Sequence, residues 1–295
     1  MCYNFIMQGK KIKRVGVLRG GIGKNYTSSL QKGGEMIVYI FKNLEGKYKV
    51  SDILIDKEGY WHINGRPVIP ADLIHKVDIV WNTGEPNISV TLDNLSIPYV
   101  GNGIFSSALE NSRDFLREHI KGIGLQMPRS YVVKKALGRS PMGEAREVFQ
   151  KFPGPWVVKV SKEAKVVKNF NELAEEIGGR DSVIVEEFIA GKIASVHSVP
   201  NFRGEKIYTF PLGNAYGVFS AKEKEKLAGF AKDLHKHIGA KHYLKSDFVL
   251  TPRGKVYLLQ INETPDLKPD SHFSQVCESV GAETHHVIEH ILEQA

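Results

Sequence analysis

The sequence contains no apolar run approaching the ~20 residues that a bilayer-spanning helix needs, so a soluble chain is expected. Cysteine is nearly absent: Cys2 and Cys277 are the only thiols. That excludes a disulfide scaffold and a cysteine-based zinc site, and points to a reducing, cytoplasmic setting. The opening stretch Met1–Gln8 is too short and too polar for a secretion signal. Internal repeats and low-complexity tracts are missing as well. Positive charge is in excess, 40 Lys and Arg against 33 Asp and Glu, but it is not massed. Its densest run, Lys222–Lys226, alternates with glutamate, which fits general solubility and a few phosphate-facing lysines better than a nucleic-acid surface.

What is present is enough for a sizeable core, because 295 residues at 42% hydrophobic allow one large or two to three small domains. Arg14 to Lys24 reads as a short apolar strand running into a glycine-rich turn with Gly20, Gly21 and Gly23, and a helix follows over Ser28 to Leu44. Such a strand–turn–helix unit either offers backbone N–H groups to an anion or only makes a tight turn. Further strands are expected at Lys49–Ile55 and Val77–Trp81. Strands alternating with helices imply a parallel sheet, with ligands beyond the strands' C-terminal ends, and this first α/β domain closes near Ser107.

A helix is expected over Ser106–Lys121, containing Arg113. A small strand-rich region comes next, with strands at Ser130–Val133, Trp156–Val160 and Val183–Glu187 and helices over Ala136–Gln150 and Asn171–Ile177. Lys159 interrupts an apolar strand. It is either an edge charge whose stem snorkels or a cation aimed at an anion. Tyr243–Leu250 and Lys255–Ile261 read as a β-hairpin around the turn Thr-Pro-Arg-Gly. Strand alternation puts Gln260 and Asn262 on one face, where Asp247 can join them. The three are then either an ordinary solvated face or an oxygen cluster for a hard cation such as Mg²⁺. The polar loop that follows, Glu263 to His272, favours a functional end of the hairpin.

The order and spacing of these pieces carry a resemblance. Gly20-Gly21, Ile97-Pro-Tyr-Val-Gly-Asn-Gly103, Val157-Val-Lys159, Glu186-Glu-Phe-Ile-Ala-Gly191, Ser246-Asp-Phe and Leu259-Gln-Ile-Asn-Glu-Thr-Pro265 resemble the ATP-grasp superfamily and, within it, the D-alanine-D-alanine ligases. The resemblance runs from Val15 to about Leu292. It implies an α/β fold, α+β in the C-terminal half, divided into an N-terminal domain (1–107), a central lid (108–185) and a C-terminal ATP-grasp part (186–295). It also implies ATP and Mg²⁺ as cofactors, small amino-acid substrates, a role in cell-wall peptidoglycan synthesis, and no membrane partner; a homodimer is left open. The reaction implied is carboxylate–amine ligation through an acyl phosphate, in which positioning and charge neutralisation do most of the catalysis.

Carried over by position, Arg113 and Lys159 match phosphate-contacting cations, with Arg113 standing where a lysine is usual. Glu186, Glu187, Phe188 and Ile189 fall on the adenine side: Glu186 at the base's amino group, Phe188 beside the ring, Ile189 offering backbone. Asp247, Gln260 and Asn262 match the metal positions, and Lys245 and Ser271 the catalytic ones. The departures fall on the chemistry. Gln260 stands where a glutamate bridges two ions, and Lys245 where an arginine steadies the transferring phosphoryl group. Asn25 replaces a glutamate for the first substrate's ammonium, Ile193 a ribose-binding glutamate, and Asp266 a glycine. The stretch Val160 to Val166 is too short for a glycine- and serine-rich phosphate loop, and Phe210 to Lys222 too short for a mobile Lys-Tyr loop. Hence a second expectation, a relative that binds nucleotide or a partner without ligating.

Overall fold

In the computed structural model, which describes residues 12–101, 103–134, 140–160, 163–212 and 218–295, the chain opens on β1 (Lys13–Gly20). β1 is flanked on both sides by parallel neighbours, β2 (Tyr48–Ile55) and β5 (Ile79–Asn82). A strand so enclosed must be apolar on both faces, and Val15, Val17 and Leu18 are fully buried. The hairpin β3 (Trp61–Ile63) and β4 (Arg66–Val68) extends one edge antiparallel, and β6 (Tyr99–Val100) extends the other parallel to β5, in the order β4-β3-β2-β1-β5-β6. Helix α1 (Tyr26–Asn43) lays Ser29, Gly33, Met36 and Ile40 on this sheet at the three- and four-residue spacing of one helical face. Helix α2 (Ile88–Asn94) follows β5.

The turn after β1 depends on glycine. Gly20 has φ +88°, and a Cβ there would sit 2.0 Å from the carbonyl oxygen of Ile55. Backbone strain and a backbone clash therefore act together. Gly20→Ala is expected to lower unfolding stability by about 3 kcal/mol in urea denaturation, and a loss below about 1 kcal/mol would contradict the geometry.

The single helix expected over Ser106–Lys121 is two. α3 (Ile104–Asn111) ends at Ser112, whose extended backbone (φ −120°, ψ 105°) restarts the chain as α4 (Arg113–Ile120). The Ser112 hydroxyl accepts from the N–H of Phe115 at 3.3 Å, so a residue read as helix interior is a cap.

The strand-rich region forms an antiparallel sheet of β7 (Ser130–Lys134), β8 (Trp156–Val160), β9 (Glu163–Val167) and β10 (Ser182–Glu187), in the order β7-β10-β8-β9. Helices α5 (Pro141–Lys151) and α6 (Phe170–Ile177) pack on one face, where Val133, Ala145, Val148, Trp156, Val158, Leu173, Val183 and Val185 form the core. The first residues of the expected Ala136–Gln150 helix lie outside the described residues, as do residues 161–162 of the shortened phosphate loop and 213–217 of the other short loop.

The remaining elements are β11 (Lys192–Pro200), β12 (Ile207–Thr209), α7 (Ala221–His237), β13 (Leu244–Leu250), β14 (Val256–Asn262), α8 (His272–Ser279) and α9 (Thr284–Gln294). The expected hairpin is there: Gly254, at φ +76°, donates to Thr251 O, and Thr251 and Lys255 pair across the turn. The lysine–glutamate run is the solvated start of α7, closed by a capping box between Ser220 and Glu223. The chain divides into a larger unit (Met1–Ile123, Ser195–Ser246 and Ile261–Ala295) and a smaller one (Gly124–Ala194 and Asp247–Gln260). No helix among the described residues is long and apolar enough to cross a membrane. Cys277 is buried in the larger unit, and burial pushes its thiol up to about 12, far from any reactive thiolate.

Candidate functional site

In the smaller unit the sheet's second face is set by register. Lys159 on β8 lies opposite Ile184 on β10, so Glu186 is its diagonal neighbour on the same face. Their side chains meet at 3.0 Å, with Glu186 only 2% exposed. β8 runs between β10 and β9, so Lys159 is no edge-strand charge. Its ammonium offsets the desolvation of a buried carboxylate. Val132, Val157 and Ile184 share this face and are not buried, which leaves an apolar ledge beside one ion pair. A planar base on the ledge with phosphates at Lys159 fits this donor set. Phe188, 37% exposed, and half-buried Ile189 follow where β10 ends, and Phe188 N–H donates to Pro155 O. Glu187 turns away into a fork with Arg129, taking Nε at 3.0 Å and Nη2 at 3.1 Å; the guanidinium holds its carboxyl below the usual range. Ile193, 45% exposed, offers no polar group to a ribose.

Asp247 is buried, which removes the solvated-face alternative for it. The Gln260 amide Nε2 donates to Asp247 Oδ2 at 2.7 Å. Asp247 thus brings one negative charge and Gln260 none, and no group of three His, Cys, Asp or Glu among the described residues is arranged to hold a metal ion. This donor set fits one Mg²⁺ on Asp247 and does not fit a bridged pair of ions. Gln260→Glu is expected to set two carboxylates side by side, to lower the melting temperature by a few degrees without metal, and to recover it with Mg²⁺. A thermal melt indifferent to Mg²⁺ in that variant would count against Asp247 as an ion ligand.

The other candidates lie in the larger unit. Asn262 Oδ1 accepts from Thr264 N–H at 2.7 Å. Arg113 is the first residue of α4, where the helix dipole disfavours a cation, so helix stability does not explain it. Lys245 is half-buried on β13. Ser271 caps α8: its Oγ accepts from Ser274 N–H at 3.2 Å and donates to Asp266 O at 2.8 Å. Its hydroxyl has to leave Asp266 to donate to a carboxylate. Asp266 Oδ1 accepts from Lys268 N–H, so the loop is tied at both ends.

A cavity of about 240 Å³ opens in the same unit, lined by Asn25, Lys32, Asn82, Glu110, Glu263 and Thr264 among others. Asn25 precedes α1 without capping it by its side chain. Glu263, unremarked in the sequence except as part of a polar loop, has its carboxyl pushed up to about 7 by burial and by Glu110, against a hydrogen bond from Ser106. At the glycine turn the built positions of Cβ atoms on Gly21 and Gly23 fall 3.1 Å and 2.1 Å from Glu85 carboxylate atoms. A carboxylate of the chain itself occupies that turn, which favours the tight-turn reading over an anion site.

Residues 216–293 match the family model described as the D-ala D-ala ligase C-terminus. A D-alanine–D-alanine ligase of Geobacter sulfurreducens is 25% identical over 290 residues, covering 87% of this chain and 85% of that protein. The structure of the D-alanine-D-alanine ligase from Coxiella burnetii superposes with a TM-score of 0.72 at 20% identity, over 96% of this chain and 95% of that one. The chain is similar to D-alanine–D-alanine ligases and shares their fold. A Bacillus anthracis D-alanine–D-alanine ligase complexed with ATP has the same fold, with a TM-score of 0.68 at 20% identity and 96% coverage of both chains. In the ligase-like chain the pair Lys159–Glu186 and the buried Asp247 were marked by sequence. A charge that interrupts or ends an otherwise apolar strand, Lys159 in Trp156–Val160 and Glu186 after Val183–Val185, was the signal. Glu263 and Glu85 were missed because an acidic residue within two positions of a proline reads as ordinary loop.

Proposed function

We propose that the chain is an ATP-dependent carboxylate–amine ligase of amino-acid substrates, working through an acyl phosphate. The observation that carries this is the Lys159–Glu186 pair beside an apolar ledge on the open face of the smaller unit's sheet. Lys159 and Arg113 take phosphate contacts; Glu186, Phe188 and Ile189 meet the base, and Glu187 fixes the strand end through Arg129. Asp247 holds one Mg²⁺, with Gln260 and Asn262 supplying neutral oxygens. When bound, the ion neutralises phosphate charge. Lys245 steadies the transferring phosphoryl group, and Ser271 receives the second substrate's carboxylate. The division 1–107, 108–185 and 186–295, cytoplasmic placement and a place in peptidoglycan synthesis belong to the same proposal. Incubation with ATP, Mg²⁺ and an amino-acid panel including D-alanine is expected to yield ADP in step with amide product; no ADP above background with any member would defeat it.

One observation favours a second reading. Asp247 is already satisfied by the Gln260 amide, so a chain that binds nucleotide without transferring its phosphoryl group also fits. Calorimetric binding of Mg-ATP without turnover on the whole panel is the result that would select it.

A further inference from the structure

The cavity of about 240 Å³ in the larger unit is lined by donors and charges that none of these roles uses. It opens where β5 ends at Asn82, the place where a parallel sheet offers a ligand site. Asn82 is only 8% exposed, and Ser29 on α1 and Ser107 on α3 are buried more deeply still. All three line the cavity, and each has its acceptor end committed. Ser29 Oγ accepts from Gly20 N–H at 2.8 Å, Asn82 Oδ1 from Gly84 N–H at 2.9 Å, and Ser107 Oγ from Asn111 Nδ2 at 3.1 Å. What remains on each is a donor, a hydroxyl proton or an amide NH₂, and no hydrogen bond takes these donors among the described residues. A donor left unpaired at such depth is costly, so the three suit an oxygen-bearing anion.

The rest of the lining has the opposite character. Glu110 follows Ser107 by three residues, on the same face of α3, and Glu263 comes directly after β14. The two carboxyl groups act on each other's charge, and Glu263 Oε1 is buried with no hydrogen-bond partner. Neighbouring carboxylates repel, and a cation carrying N–H donors relieves both. Lys32 is the single basic residue of the lining.

These groups select among ligands. A bare metal ion would face Lys32 and three donors, a simple anion would face two carboxylates, and a simple amine would leave the donors idle. A zwitterion satisfies all of them. The volume lies below the roughly 300–1,000 Å³ of sites for drug-sized molecules, which limits the ligand to a few heavy atoms.

We propose that this cavity binds a small free α-amino acid and that Glu263 selects it by its primary ammonium. Glu110 shares the ammonium, while Asn82, Ser29 and Ser107 with Lys32 take the carboxylate. That the amino acid is a substrate rests on the ligase reading; that it binds does not.

Titration calorimetry of the full chain without nucleotide tests the site. The probes are glycine and both enantiomers of alanine and serine. Each is compared with its counterpart lacking the amine (acetate, propionate, 3-hydroxypropionate) and with its counterpart lacking the carboxylate (methylamine, ethylamine, ethanolamine). At least one amino acid is expected to bind saturably, and both of its counterparts about 10-fold more weakly or worse. Glu263→Gln is expected to weaken the amino acid about 10-fold or more and to abolish its advantage over the deaminated acid, whereas a purely structural role would weaken both alike. Asn82→Asp keeps an acceptor for Gly84 N–H and replaces the donor by a carboxylate oxygen, so it is expected to weaken the amino acid while sparing the simple amine. No saturable binding by any of these amino acids overturns the proposal. So does a deaminated acid that binds the parent protein equally well, or an amino-acid affinity in Glu263→Gln within about threefold of the parent. Should that variant not fold, an unchanged affinity in Asn82→Asp overturns it instead. Binding without ADP formation on the whole panel defeats the ligase reading alone, and ligation whose KM is unmoved in Glu263→Gln defeats the site alone.

Discussion

Between pH 6.5 and 4 the protein is expected to lose stability steeply, by about 3 kcal/mol for either of two buried histidines taken alone. His235 and His242 are both buried in the larger unit, and burial pushes each imidazole down to about 4. The native state therefore keeps them neutral where the unfolded chain, near the ordinary 6.5, takes up protons. Stability is complete above pH 6.5 and is lost as pH falls through 4. The two sites are coupled, since His235 also lowers His242, so their losses do not simply add. His197 acts in the same direction. Glu263 opposes them: with its carboxyl raised to about 7, its contribution is present below the ordinary 4.5 and lost as pH rises through 7. Histidines outnumber it, so the net slope is positive between pH 4 and 6.5, and only the smaller Glu263 loss remains through pH 7. Urea denaturation at pH 4.5, 5.5 and 7.5 measures the slope directly. His242→Asn is expected to flatten it by close to one proton, and a profile flat in the parent protein would contradict neutral burial.

Removing Lys159 is expected to weaken ATP binding about 100-fold and to destabilise the smaller unit at the same time. The two effects have different origins. On the proposed role of Lys159, affinity falls because a phosphate loses its cation, worth about 2–3 kcal/mol in a partly desolvated setting. Stability falls because Glu186, 2% exposed, loses an ion-pair partner at 3.0 Å, a change that costs about 3 kcal/mol in comparable buried pairs. Lys159→Ala, followed by calorimetry with Mg-ATP and by thermal denaturation, reads both. The double variant Lys159→Met with Glu186→Gln removes both charges, so it is expected to recover stability but not affinity. Recovery of affinity in the double variant would show that Lys159 serves only Glu186.

Much of this arrangement was legible in the sequence where periodicity and register agree. Trp156–Val160 was read with the bounds it has in the fold, since it is a short apolar run broken only by Lys159 and preceded by Pro-Gly-Pro. The hairpin around Thr251 to Gly254 was legible for a different reason: Pro and Gly in a short link between apolar runs leave the backbone few options. Ser112 was misread because serine is unremarkable inside a helix until its hydroxyl takes a backbone N–H. The short strands β3 and β4 and the long strand β11 went unread, the first two because three residues carry no period. A histidine chain was invisible for a deeper reason. His197, Tyr243 and His272, which hydrogen-bond in a row, are far apart in sequence, and their neighbours mix serine, lysine and aspartate with apolar residues in no period that marks them. Only tertiary placement brings their nitrogens and oxygen within 2.7 Å.

The Gln260 amide resting on Asp247 carries one more consequence. A hairpin that quiets its own acidic group needs no ion to hold its shape, so the polypeptide can assemble and persist when magnesium is scarce. On the proposed ligase reading, supply of the ion then governs turnover alone, and treatment with a chelator is expected to silence the protein reversibly while leaving its melting temperature where it was.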